Sequence, residues 1–237
     1  MSTVLAFGDE HHPFSHRDRL DFIKEVKDKY NPDTVVNLGD EIDAHAFSRY
    51  VHDPSGYGPQ HEWDKAVKAL KPYYELFPKL HICKSNHPMR PFRRAFDVGI
   101  PGSFFKSYTD LIDAPEGWVW AGFFEFDGVR YIHGEGYNGE LGHKKAAEDY
   151  GKSVVMGHLH TNFGVYTSCR GVGNTNPIYG VAAGCGTDTS SYACAYAKNY
   201  SKQPILGAVV LQDGIPKMIP MLFKSGKKSD RWTGVIV

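Results

Sequence analysis

Five short stretches hold nearly all the hard metal-binding side chains that this chain could aim at one point. They are Asp9-Glu10-His11, Gly39-Asp40-Glu41-Ile42-Asp43, Asn86-His87, His133 and Gly157-His158-Leu159-His160. Carboxylate, amide oxygen and imidazole, without a cysteine cluster, suit manganese, iron or zinc better than a sulfur site. A carboxylate has two oxygens, so Asp40 is the natural bridge between two ions. Asp9 and His11 lie two residues apart, as do His158 and His160. In extended backbone alternate residues share a face, so each pair can reach one ion. Singly these motifs are weak, and His133 alone reads as a satisfied core histidine. Jointly, ligand type, order and placement agree, and the pattern reads as a two-metal hydrolase.

Placement comes from the elements. Asp9, Asp40 and His133 follow the apolar runs 3–7, 34–38 and 129–132, and ends of buried strands are where open α/β sheets put ligands. The run at 3–7 is continuously apolar, as in a strand buried on both faces. Ser15 is placed to cap a helix carrying Leu20, Ile23, Val26 and Tyr30 on one side, ended by Asn31-Pro32-Asp33. A second helix is expected over 61–77, with Trp63, Val67, Leu70 and Tyr74 as its apolar face and Pro72 kinking or dividing it. Residues 80–83 read as a third strand, with Asn86-His87 just beyond. Strand and helix alternating in this way imply right-handed crossovers and a parallel sheet core. Residues 118–126 and 129–133 flank Asp127-Gly128, and 206–211 and 217–222 flank Asp213-Gly214, two hairpin signals. Residues 141–150 read as a helix; 153–156 and 179–183 read as strands. Residues 170–177 form a Gly- and Asn-rich loop, and Lys224 to Lys228 a solvated basic tail.

The 237 residues are read most simply as one α/β domain spanning 1–237. Lys plus Arg and Asp plus Glu number 27 each, a balance that argues against attachment to nucleic acid or membrane by bulk charge. The 12 histidines are many for this length and fit a metal enzyme. Cys83, Cys169, Cys185 and Cys194 form no CxxC pair and read as free thiols rather than a zinc knuckle. No signal-peptide pattern and no apolar run of membrane-spanning length are evident, so a cytoplasmic location with no membrane partner is the expectation. Oligomeric state is not encoded.

In their order and over most of the chain, Asp9-x-His11, Gly39-Asp40-x-x-Asp43, Asn86-His87, His133 and Gly157-His158-x-His160 resemble the calcineurin-like metallophosphoesterase superfamily. The resemblance implies an α/β fold in four αββα layers, a two-sheet β-sandwich flanked by helices. It implies two divalent ions at strand ends, manganese first and iron, zinc, nickel or cobalt as alternatives. Asp9, His11, Asp40 and His160 would hold one; Asp40, Asn86, His133 and His158 would hold the other. His87 would be the non-ligand catalytic imidazole and Asp43 its carboxylate partner. The implied activity is hydrolysis of phosphate mono- or diesters, of small molecules or nucleotides. A hydroxide shared by cations about 3.5–4 Å apart would attack phosphorus. Departures from the family pattern are Ser85 in place of the usual glycine and Pro88 in place of an acidic residue. Ala44-His45 replaces the Arg-Gly of protein phosphatases, which favours a general phosphoesterase.

Substrate contacts are expected from Arg90, Arg93 and Arg94, whose guanidiniums suit phosphate oxygens. Residues 50–61 and 135–142 are expected to overhang the site, with Tyr50, Tyr57 and Tyr137 able to stack on a base or sugar. Competing functions are a nuclease acting on DNA or RNA and a non-catalytic binding scaffold with the same fold.

Overall fold

The structure, a computed structural model, describes residues 2–49, 55–169, 173, 175–197, 201–227 and 230–237. The leading run forms β1 (Thr3–Phe7), with every residue buried. Its alternation explains why no polar position is needed. Leu5 and Phe7 pack under helices α1 (Arg19–Tyr30) and α2 (Pro59–Leu76), while Val4 and Ala6 face a second sheet.

β2 (Thr34–Asn37) and β3 (Leu80–Cys83) follow, each reached through a helical crossover. Short α3 (Arg90–Asp97) and α4 (Tyr108–Leu111) precede β4 (Trp118–Ala121). The chain then enters the second sheet with β5 (Phe123–Phe126), β6 (Val129–Ile132), α5 (Gly142–Tyr150), β7 (Ser153–Met156), β8 (Phe163–Ser168) and β9 (Ile178–Ala183). It returns to the first sheet with the hairpin β10 (Gly207–Gln212) and β11 (Ile215–Pro220).

The first sheet has the order β11-β10-β1-β2-β3-β4, the second β5-β6-β7-β9-β8. β1 to β4 pair in parallel, as do β6, β7 and β9, while β5, β8, β10 and β11 join antiparallel. Between the sheets lie Val4, Ala6, Val36, Leu38, Val129, Tyr131, Val155 and Val181. Ala146 and Ala147 of α5 cover Ile132, Val154 and Met156 on the outer face of the second sheet. The layers are therefore helix, sheet, sheet, helix, the arrangement that the resemblance implies. Among the described residues no helix is long and apolar enough to cross a membrane.

Several local expectations are corrected. Ser15 does not cap α1; its hydroxyl pairs with His12 Nδ1 at 2.8 Å, and the helix begins after Asp18. Pro72 does not divide α2, which runs through it as one element. The stretch 118–126 is two strands in different sheets: β4 pairs with β3, β5 with β6, and the chain changes sheet at Gly122. An apolar run carries no mark of which sheet buries it. β8 was not anticipated from the sequence; its exposed and half-buried side chains lack a strong apolar run. The Asp127-Gly128 and Asp213-Gly214 turns form as expected, each residue at positive φ. All four cysteines are free. Half of the loop 170–177, and Tyr50, lie outside the described residues.

Candidate metal centre

Every strand that precedes a candidate ligand points its carboxyl end at the same rim. β1, β2 and β3 deliver Asp9 and His11, Asp40, and Asn86 and His87; β6 and β7 deliver His133, and His158 and His160. Parallel pairing aligns these ends, Phe7 beside Asn37 and Ile132 beside Met156.

The side chains converge into three groups that could each hold an ion: Asp9, His11 and His160; His11, Asp40 and His87; and Asp40, His133 and His158. His160 Nε2 lies 3.1 Å from both Asp9 Oδ1 and His11 Nε2. Asp40 Oδ2 stands between the outer trios, 3.2 Å from His133 Nε2 and 3.9 Å from His11 Nε2. Asn86 Oδ1 is 3.0 Å from His133 Nε2, and His158 Nδ1 is 3.2 Å from the same nitrogen.

The backbone reaches this convergence by an unexpected route. Extended geometry was expected at the two-residue spacings, yet Asp9, His11, Asp40 and His158 hold φ of 53°, 50°, 51° and 65°. Left-handed turns, not pleated strand, fold the donors inward. Gly157 lies so close to Asp9 that an added Cβ would stand 2.3 Å from Asp9 Oδ2. Asp9 Oδ2 also accepts the His158 backbone N–H at 2.9 Å. Ser85, a departure from the family pattern, has a role here: its hydroxyl accepts the Asp40 N–H at 2.7 Å.

Outer partners set the ring orientations. The Leu38 carbonyl accepts from His133 Nδ1 at 2.9 Å, which turns Nε2 toward Asp40. Asp43 serves two rings at once. Its Oδ2 lies 3.2 Å from His11 Nδ1 and its Oδ1 3.2 Å from His87 Nδ1. Arg90 Nη1 donates to Asp43 Oδ1 at 2.7 Å, and Arg90 Nη2 donates to His87 Nε2 at 2.8 Å. With the carboxylate accepting at Nδ1, His87 keeps a lone pair at Nε2. Burial accordingly pushes the His87 pKa down, against Asp40 and Asp43.

Electrostatics keep the buried carboxylates charged. Burial works against the charge of Asp40 and Asp43, yet neighbouring imidazoles hold both well below the usual carboxylate range. The reciprocal holds for His133: burial opposes its charge, but Asp40 keeps its pKa at about 9. His11 is likewise raised, through Asp43 and Asp9, despite burial. The carboxylates that raise these imidazoles are the same oxygens that a cation would satisfy. Oxygen and imidazole donors, two pairs of ring nitrogens at 3.1 and 3.2 Å, and buried negative charge all fit divalent metal ions.

Of the other expected residues, Arg93 donates to the Asn86 carbonyl at 2.7 Å, and Arg94 donates to the carbonyls of Phe47 and Ser48. Tyr137 is half-buried against Tyr150 and the α5 core; its neighbour Asn138 reaches the cage, with Oδ1 3.3 Å from His158 Nε2. Tyr57 stacks on Phe14 with ring centroids 6.2 Å apart. Asn138 lies in a loop that sequence reasoning had singled out, but nothing in its type distinguished it from its neighbours. Arg49, which lines a cleft beside Asn86, carried no sequence signal at all.

No protein-family model and no curated protein matches this chain. Similar solved structures include a single mutant of Vps29 from Entamoeba histolytica, 13% identical, covering 99% of each chain at a TM-score of 0.44. Vacuolar Protein Sorting 29 from Cryptosporidium parvum is 12% identical over 92% of this chain and 95% of that one, at 0.43. A metallophosphoesterase from Sphaerobacter thermophilus is 12% identical over 92% and 86%, at 0.41. At this distance the likeness concerns fold alone.

Proposed function

We propose that this chain is a two-metal phosphoesterase that hydrolyses phosphate mono- or diesters of small molecules or nucleotides. One observation carries the reading. Donors from the strand ends of both sheets form three overlapping groups, and Asp40 Oδ2 links them, within 4 Å of His11 and His87 from the first sheet and His133 from the second. In this reading Asp9, His11, Asp40 and His160 hold one ion, and Asp40, Asn86, His133 and His158 the other. Bound divalent ions, manganese foremost, would neutralise phosphate oxygens and acidify a water at neutral pH.

The chain's own groups then have distinct tasks. Asp43 orients His11 and His87 together, so one carboxylate keeps a ligand ring and a catalytic ring in register. Asp43 accepts at His87 Nδ1, so Nε2 is the atom that faces substrate. Arg90 occupies that nitrogen until a phosphate draws its planar fork away. Nε2 can then take up a proton from solvent water, giving the imidazolium that Asp43 stabilises, and pass it to the departing oxygen.

The test is metal analysis followed by turnover on the same preparation. The substrates are p-nitrophenyl phosphate, bis-p-nitrophenyl phosphate and short DNA. Bound metal with turnover of at least one ester is expected. Asp40→Ala should abolish both, while His87→Ala should retain metal and lose roughly 10²–10⁴-fold in kcat. Neither metal nor turnover under Mn, Fe, Co, Ni or Zn would instead indicate a non-catalytic scaffold.

A further inference from the structure

Four guanidiniums stand beside the cage. Arg49, Arg90, Arg93 and Arg94 line one cleft with Phe47, Ser48 and Asn86. Its volume is about 240 Å³. That is below the roughly 300–1,000 Å³ of pockets that enclose a drug-sized ligand, and suits a phosphate with a few attached atoms. Asn86 belongs to both places. Its Oδ1 faces His133 Nε2 in the cage, while its carbonyl accepts from Arg93 in the cleft.

The protein does not neutralise this charge fully. Arg90 is paired with Asp43, and Arg49 with Asp97 at 2.6 Å. The Arg49–Asp97 pair is exposed, and exposed pairs are weak enough to exchange partners. Arg93 and Arg94 donate to backbone carbonyls and have no carboxylate partner among the described residues. Each retains further N–H donors in the fork geometry that fits phosphate oxygens.

We infer that the cleft is a second anion subsite. It takes a phosphate other than the one bound at the cage, so the preferred substrate carries two phosphates. Neighbouring linkages of a nucleotide chain and small bisphosphates share that chemistry. The inference rests on the phosphoesterase reading only for what the first phosphate does.

Calorimetric binding to chelator-treated protein, which removes turnover from the measurement, tests it. The probes are a thymidine dinucleotide with a terminal phosphate (pTpT) and without one (TpT). The terminal phosphate should tighten binding by about tenfold or more, the worth of charge-assisted hydrogen bonds. Arg93→Ala and Arg49→Ala should each erode that advantage, and Arg93→Lys should keep part of it. Arg49 pairs with Asp97 rather than with the Asn86 carbonyl that holds Arg93, so its variant guards against a mere shift of the cage. Equal affinity for the two probes, or an advantage untouched in both alanine variants, overturns the subsite. Propanediol bisphosphate separates the sources: parity with pTpT means any paired phosphate suffices, weaker binding means the nucleotide chain is read, and both support the subsite. Turnover of bis-p-nitrophenyl phosphate by the Mn²⁺-loaded protein is scored separately. Its absence with the pTpT advantage intact sinks the phosphoesterase reading alone.

Discussion

Left-handed backbone at Asp9, His11, Asp40 and His158 costs of order 1–3 kcal/mol per residue, and asparagine, aspartate and histidine tolerate it best. The fold holds these conformations with specific contacts, among them the Ser85 hydroxyl on Asp40 N–H and Asp9 Oδ2 on His158 N–H. The Gly157–Asp9 contact gives a sharp test. Gly157→Ala would drive a Cβ into a buried carboxylate, so Mn²⁺ affinity should fall about 10–100-fold, as for other changes that misorient a ligand. A titration matching wild type would show that Asp9 is not held there. A second expectation concerns pH. The His133 pKa is raised from 6.5 to about 9 in the folded protein. Its stabilisation of the metal-free protein is therefore complete below pH 6.5 and is lost as pH rises through about 9. Metal needs the unprotonated ring, so uptake should strengthen across that same window. Melting of metal-free protein against pH, and proton release on Mn²⁺ addition, measure the two sides. A His133→Gln variant should flatten both.

At the scale of elements, the loop after β1 is clamped from three directions. Glu10, between two candidate ligands, receives Arg19 of α1 through Nε at 3.0 Å and Nη2 at 2.8 Å, and Tyr73 of α2 at 3.3 Å. Arg19 also donates to the Gly207 carbonyl of β10 at 2.8 Å. All of these groups are buried. Arg19→Met should therefore destabilise by about 3–5 kcal/mol, because it strands the Glu10 charge. The double variant Arg19→Met/Glu10→Leu should recover much of that in urea unfolding. A double variant no better than the single would mean that the pair does more than satisfy its own charge. This clamp was not legible in the sequence. Helix and strand periodicity locate α1 and β1, but not which polar residue of a loop a helix terminus will bury.

For the whole molecule, the decisive event is the packing of one sheet on the other. The first sheet carries Asp9, His11, Asp40, Asn86 and His87; the second carries His133, His158 and His160. Leu38 sits in the shared core, and its carbonyl takes the His133 ring across the interface. Leu38→Ala should cost about 2–5 kcal/mol and also weaken metal binding, because both sheets lose the layer that aligns their ends. Unfolding midpoints with and without Mn²⁺ report both effects. Loss of stability with unchanged metal affinity would separate core packing from site assembly.

The donor types, their chain order and their positions after apolar runs were readable from the sequence, because strand length, turn chemistry and side-chain identity are local. The break at Gly122 that sends 118–126 into two sheets was not, since either sheet buries the same apolar residues equally well. Nor was the sharing of Asp43 between His11 and His87, the Ser85 contact, or the meeting of Arg49 with the arginines of α3. Each joins residues more than thirty positions apart, and strand order across a sheet, which decides such meetings, is a property of the packed whole.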